Sequence, residues 1–180
     1  MRMKLMILGL VCCSMVAFAT KHKKSQQRST QNTSTPKDTV DYKTPGAPMP
    51  PLRVTTMKGK TVTDKDLKND ATLLVMMFNP NCEHCENQTE LFKQNIWMFK
   101  NTKLVLMAGS MMLPYLEGFE NSHNVSKYSA MIMGVDSSDF INRTFIYNAL
   151  PQINIYNADR KLERVFTGNV PMDSLKAYIQ

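Results

Sequence analysis

Apolar positions in this chain fall in short unbroken runs, and the polar stretches between them carry the turn residues. Residues 73–78 (Leu-Leu-Val-Met-Met-Phe) and 104–108 (Leu-Val-Leu-Met-Ala) are continuous runs of strand length, as expected of strands covered on both faces. Residues 130–135 read as a third strand. Two hairpins are predicted. One joins 53–57 to 61–62 around Lys58-Gly59-Lys60, and the other joins 152–156 to 162–166 through Asn157-Ala158-Asp159-Arg160. Residues 63–67 read as a short capped turn.

Helical spacing appears between these runs. Cys85, Phe92, Ile96 and Phe99 recur at intervals of seven, four and three, which is one helical face. Residues 111–120 predict a helix with Pro114 in its first turn. Residues 138–147 predict another, with Phe140, Ile141 and Phe145 inward. Residues 170–179 predict a closing helix, with Pro171 near its start. Strands and helices in this order give an α/β domain with a central mixed sheet and helices on both faces.

The N-terminal third has a different pattern. Arg2 and Lys4 precede an apolar run over 5–18, and Ala17-Phe18-Ala19 has the form of a cleavage site. The run is short for a membrane span, so residues 1–19 read as a secretory signal peptide. An uncleaved anchor, or a lipid at Cys12 or Cys13, is the alternative; Val11 and Cys12 sit where a lipobox has small residues. Residues 20–51 are rich in Lys, Gln, Ser, Thr and Pro and predict a disordered linker, because they hold too little apolar surface to offset ordering. The folded domain is then expected over 52–180.

The formal net charge of +7 belongs mostly to that leader and linker. From residue 45 onward fourteen cations face thirteen anions, so the composition of the domain gives no sign of the basic face that nucleic-acid binding needs. The basic segment instead suits an anionic membrane surface or a solvated spacer.

Cys82-Glu83-His84-Cys85 follows the apolar run at 73–78 and opens the helix. With the leader removed, Cys82 and Cys85 are the only cysteines left. A disulfide between residues this close closes almost no chain entropy and is a weak staple, so in an exported chain the pair points to redox work. Only a thiolate attacks a disulfide, and a helix N-terminus stabilises negative charge. Cys82 is the expected nucleophile. Cys85, on the buried stripe, would resolve the mixed disulfide. A protonated His84 would favour the thiolate, and Glu83 would oppose it, which implies an intermediate redox poise.

From about residue 45 to 180 the chain resembles thioredoxin-fold proteins of the TlpA/ResA-like branch, the exported thiol–disulfide oxidoreductases. The resemblance rests on residues 78–85 (Phe-Asn-Pro-Asn-Cys-Glu-His-Cys), on Ala149-Leu150-Pro151, and on the hairpin closing at Phe166-Thr167-Gly168. It implies a cis Pro151 facing the disulfide and a Leu150 backbone available to a client strand. It also implies protein thiol or disulfide clients, a redox partner protein, a periplasmic or extracytoplasmic setting, and no metal or organic cofactor. Three positions depart from the family pattern. Asn79 stands where a tryptophan-type residue is common, Gln88 where reductases of the branch carry glutamate, and the hairpin turn lacks its usual glycine.

The fifteen methionines raise a second reading, a Cu- or Zn-binding chaperone using Cys82, Cys85 and His84, or the distant His123. Two cysteines fall short of a closed tetrahedral site, and methionine is most often core filler. A peroxidase reading is weaker, because neither cysteine has a threonine or serine three residues before it. A non-catalytic interaction module leaves the intact cysteine pair without a use.

Overall fold

The computed structural model describes residues 40–145 and 149–179. The leader expected at 1–19, Cys12 and Cys13, the polar segment as far as 39, and Tyr147 lie outside the described residues. Seven strands form one mixed sheet: β1 (Arg53–Thr55), β2 (Thr61–Thr63), β3 (Leu73–Met77), β4 (Lys103–Gly109), β5 (Met131–Asp136), β6 (Gln152–Tyr156) and β7 (Leu162–Thr167). Their order is β2-β1-β5-β4-β3-β6-β7. The three central strands β3, β4 and β5 are parallel, and β6, β7, β1 and β2 pair antiparallel around them. The predicted strands and both hairpins are present.

Alternation along the strands divides the core in two. Leu74, Met76, Leu104, Leu106, Ile153 and Ile155 face one side. There they meet α1 (Glu83–Gln94), α2 (Leu116–His123) and α4 (Met172–Leu175) through Cys85, Phe92, Leu116, Phe119 and Leu175. Leu73, Val75, Met77, Val105 and Met107 face the other side. Leu52, Leu67 and α3 (Phe140–Thr144) cover them. Helices thus lie on both faces, as expected. Met76, Met77, Met107, Met131 and Met133 are core filler. Gly134 is required where β1 meets β5, since a Cβ there would stand 2.5 Å from the Thr55 carbonyl oxygen.

Five predicted segments differ in detail. Residues 110–115 form a 3-10 turn, and α2 begins only at Leu116. Pro114 has no N–H to continue an α-ladder, so the ladder starts beyond it. The stripe read through Ile96 and Phe99 is broken after Gln94, where the Asn95 side chain donates to the Leu91 carbonyl; Ile96–Met98 is a 3-10 turn that still delivers Phe99 to the core. Helices α3 and α4 are a little over one turn each. Finally, part of the segment read as linker packs on the domain. Gly46 N–H donates to Leu162 O (2.7 Å), Leu162 N–H to Ala47 O (2.8 Å) and Met49 N–H to Arg160 O (2.8 Å). Tyr42 meets the Phe140 ring edge-on at 5.8 Å. Tyr42, Met49 and a buried Pro50 supply apolar surface that the average composition of 20–51 conceals.

The glycine missing from the β6–β7 turn has a structural substitute. Arg160 takes the left-handed conformation (φ +58°). Its guanidinium donates to Ala71 O (2.8 Å), Leu67 O (2.6 Å) and Asn69 Oδ1 (2.9 Å). Those bonds tie the turn to the loop before β3 and offset the backbone cost of a side chain in that region.

Candidate active site

The site begins where β3 ends. Phe78 N–H still donates to Met107 O (3.1 Å), which holds the chain in the sheet for one more residue. Asn79 then closes a tight turn: its Oδ1 accepts from Asn81 N–H (2.9 Å) and its carbonyl from Cys82 N–H (3.1 Å). An asparagine followed by Pro80 suits this turn, because its side chain copies a backbone acceptor. Cys82 is the N-cap of α1, in extended conformation, and its carbonyl accepts from Cys85 N–H (2.9 Å) and Glu86 N–H (3.0 Å). No side chain caps this helix end, and Cys82 stands at its positive pole.

Both cysteines are free thiols, and their environments differ. Cys82 is half-buried; Cys85 is fully buried in the core against Phe92 and its neighbours. Burial pushes the Cys85 thiol up to about 12, and a hydrogen bond with the Cys82 thiol and the charges of Cys82 and Glu86 add to this. The backbone of Asn79 hydrogen-bonds the Cys85 sulfur and opposes the rise only in part. Cys85 is a thiol that stays protonated until something nearby takes its proton.

Glu83 and His84 are exposed and form no hydrogen bond or ion pair among the described residues. The Leu150–Pro151 bond is cis. Gln152, the first residue of β6, pairs with Met77, the last of β3, so Leu150 and Pro151 stand beside the turn that carries Cys82. Leu150 and Cys82 both pack on the same apolar cluster. The structure thus brings Cys82, Cys85, Leu150 and Pro151 to one end of the sheet. Gln88 is buried one turn beyond Cys85 and is used on both amide atoms: Val170 N–H donates to Oε1 (2.7 Å), and Nε2 donates to Val170 O (3.3 Å).

One contact near the site carries no sequence signal. His123, at the end of α2, places Nδ1 2.7 Å from Glu90 Oε1 on α1, and Lys93 Nζ reaches the same oxygen at 2.6 Å. Burial would raise the Glu90 carboxyl, but the hydrogen bonds from His123 and Lys93 outweigh it and hold the group below its ordinary range. These residues are 33 positions apart and meet only because α1 packs on α2. Among the described residues, no three His, Cys, Asp or Glu side chains are grouped to hold a metal ion.

No protein-family model matches the chain. No curated protein matches it significantly either. Solved structures do. The thioredoxin domain of a thiol-disulfide oxidoreductase from Bacteroides vulgatus is similar over 76% of this chain and 99% of its own, with TM-score 0.62 and 14% identity. A secreted Mycobacterium tuberculosis disulfide oxidoreductase homologous to E. coli DsbE is similar over 71% of this chain and 92% of its own (TM-score 0.58, 16% identity). StoA from Bacillus subtilis is similar over 74% and 98% (TM-score 0.56, 16% identity). At these identities the likeness is one of fold, and the fold is thioredoxin-like.

Proposed function

We propose that this protein is an extracytoplasmic thiol–disulfide oxidoreductase that exchanges a Cys82–Cys85 disulfide with protein clients. The observation that carries the reading is the asymmetry of the pair: an accessible sulfur at an uncapped helix N-terminus, and a buried thiol one turn on. The thioredoxin-like fold and the similarity to structures of disulfide oxidoreductases support it.

In the reducing direction the Cys82 thiolate attacks one sulfur of a client disulfide. A Cys82–client bond forms, the client S–S bond breaks, and the second client sulfur leaves as a thiolate that takes up a proton. Cys85 then loses its proton and attacks Cys82. The Cys82–Cys85 bond forms and the first client sulfur leaves. Two electrons pass to the client, and a dithiol partner protein restores the pair; the oxidising direction is the reverse. Cys85 enters only when Cys82 is already bound to client, because burial keeps it protonated until then. The Leu150–Pro151 turn, beside Cys82, offers main-chain groups to an extended client segment. His84 and Glu83, exposed on the first turn of α1, set the charge near the sulfur in opposite directions. The chemistry needs no metal or organic cofactor. The basic segment before the domain would hold it near an anionic membrane surface.

The test uses the leaderless protein with a disulfide-bonded protein client. Client reduction or oxidation that disappears in Cys82→Ser is expected. Stoichiometric Cu(I) or Zn(II) binding that is lost in the same variant, without exchange, would replace this reading with a metal-binding one.

A further inference from the structure

The end of the sheet opposite the cysteines carries the chain's only tryptophan. The residues of α1 take the chain roughly 18 Å from Cys82, and the 3-10 turn Ile96–Met98 follows. Ile96 and Met98 turn partly onto the core, while Trp97 between them stands out at 74% exposure.

Cations gather at the same end. Lys103 opens β4 in register with Leu73, the first residue of β3, and its Nζ reaches Ser129 O at 3.4 Å. Lys100 is exposed in the loop before β4, and Lys127 is exposed in the turn before β5. Lys93 lies over the Tyr128 ring at 5.9 Å, which joins the last turn of α1 to that turn. Residues 91–116 and 121–135 contain these four lysines and no Asp or Glu. The carboxylates that flank these segments are engaged: Glu90 with Lys93 and His123, and Glu120 with the Ser126 N–H and hydroxyl. Lys68 and Asp70 offset each other on the loop that Asn69 ties to Asn101 O (2.8 Å). Lys100, Lys103 and Lys127 are left in surplus beside the indole. The domain is near neutral in total because its acids lie elsewhere; Glu83, Glu86 and Glu117 stand at the cysteine end.

A lone exposed indole offers a few hundred Å² at most, well short of the roughly 800 Å² that each side of a stable protein interface buries. Lysine is also depleted from such interfaces. Both features suit the boundary of a bilayer, where tryptophan settles at headgroup depth and lysine meets anionic headgroups. We propose that this end of the domain docks on an anionic lipid surface, with Trp97 among the headgroups and Lys100, Lys103 and Lys127 against the lipid charge. Six cations against Asp38 and Asp41 in residues 20–44 supply a second attraction, and surface binding of this kind becomes stable when two signals act together. Docked in this way, the domain turns its Cys82 end away from the lipid and toward soluble clients. The docking itself does not depend on the redox reading.

Trp97 is its own probe, since no other tryptophan emits. The full chain is mixed with vesicles of phosphatidylcholine and phosphatidylglycerol in equal parts, and with vesicles of phosphatidylcholine alone. The anionic vesicles should shift Trp97 emission to the blue, and lipids brominated high on the acyl chain should quench it. Both effects should fade as salt rises and be weak on the neutral vesicles. Replacing Lys100→Gln and Lys127→Gln together should weaken binding about thirtyfold, the loss expected for two lysines at such a surface, and leave client exchange in solution unchanged. Vesicles that bind the chain while Trp97 emission stays constant would assign the attraction to residues before the domain and overturn the proposal. An equal shift on neutral vesicles, a double variant of full affinity, or no binding to either vesicle would also overturn it. None of these outcomes touches the redox reading, which the client assay decides.

Discussion

Cys82 and Cys85 are three residues apart, yet one meets solvent and the other is sealed in the core. The ionisation of Cys85 is therefore coupled to folding. In the reduced unfolded chain the thiol ionises near 9.0, and in the folded protein near about 12. Between those values the folded state binds more protons than the unfolded state, so stability falls as pH rises. The contribution is fully present below pH 9 and is lost on the way to 12. Urea midpoints of the reduced protein should accordingly drop between pH 8 and 10.5, and Cys85→Ala should flatten that slope; parallel slopes would mean that Cys85 is not shielded as described. The cysteines and Pro151 were legible in the sequence because spacing, a preceding apolar run and a family resemblance all mark them. The pairing of His123 with Glu90 was not, because it depends on how two helices pack.

At the scale of elements, α1 is fixed at both ends of the site. Its start is set by the Asn79 turn, and its second turn is pinned by Gln88 to the β7–α4 connection. This gives the glutamine at 88 a structural use. A glutamate at 88 would accept from Val170 N–H, but when ionised it could not donate to Val170 O. Gln88→Glu should cost about 1–3 kcal/mol at pH 7, the penalty of an unsatisfied buried group. The carboxyl of the variant, raised by burial, would recover the bond on protonation, so the loss should shrink toward pH 5. Denaturant midpoints at the two pH values check both statements, and an unchanged midpoint at pH 7 would remove the clamp. Strands and hairpins were legible because their apolar runs are continuous. Helix lengths were not: Pro114 delays α2, Asn95 ends α1, and α3 and α4 stop after about one turn although apolar residues continue at Phe145 and Ile179.

For the whole molecule, one seven-stranded sheet places the loop after β3 between those of β4 and β6, and this juxtaposition turns a local C-x-x-C into a site with two flanks. The β6 flank offers the Leu150–Pro151 main chain, and the β4 flank carries the 3-10 turn at 110–115. Charge plays little part in this arrangement, since the surplus of cations precedes the domain. Among the described residues no helix is long and apolar enough to cross a membrane. The central claim, that Cys82 and Cys85 form a reversible redox couple, is tested most directly by equilibrating a protein that begins at residue 20 in glutathione buffers of graded ratio, trapping thiols with an alkylating agent and weighing the product. The account predicts a single two-electron transition, between a strong oxidant near about −120 mV and a thioredoxin-like reductant near about −270 mV. Two thiols that remain reduced, or that are alkylated independently, at every ratio would contradict it.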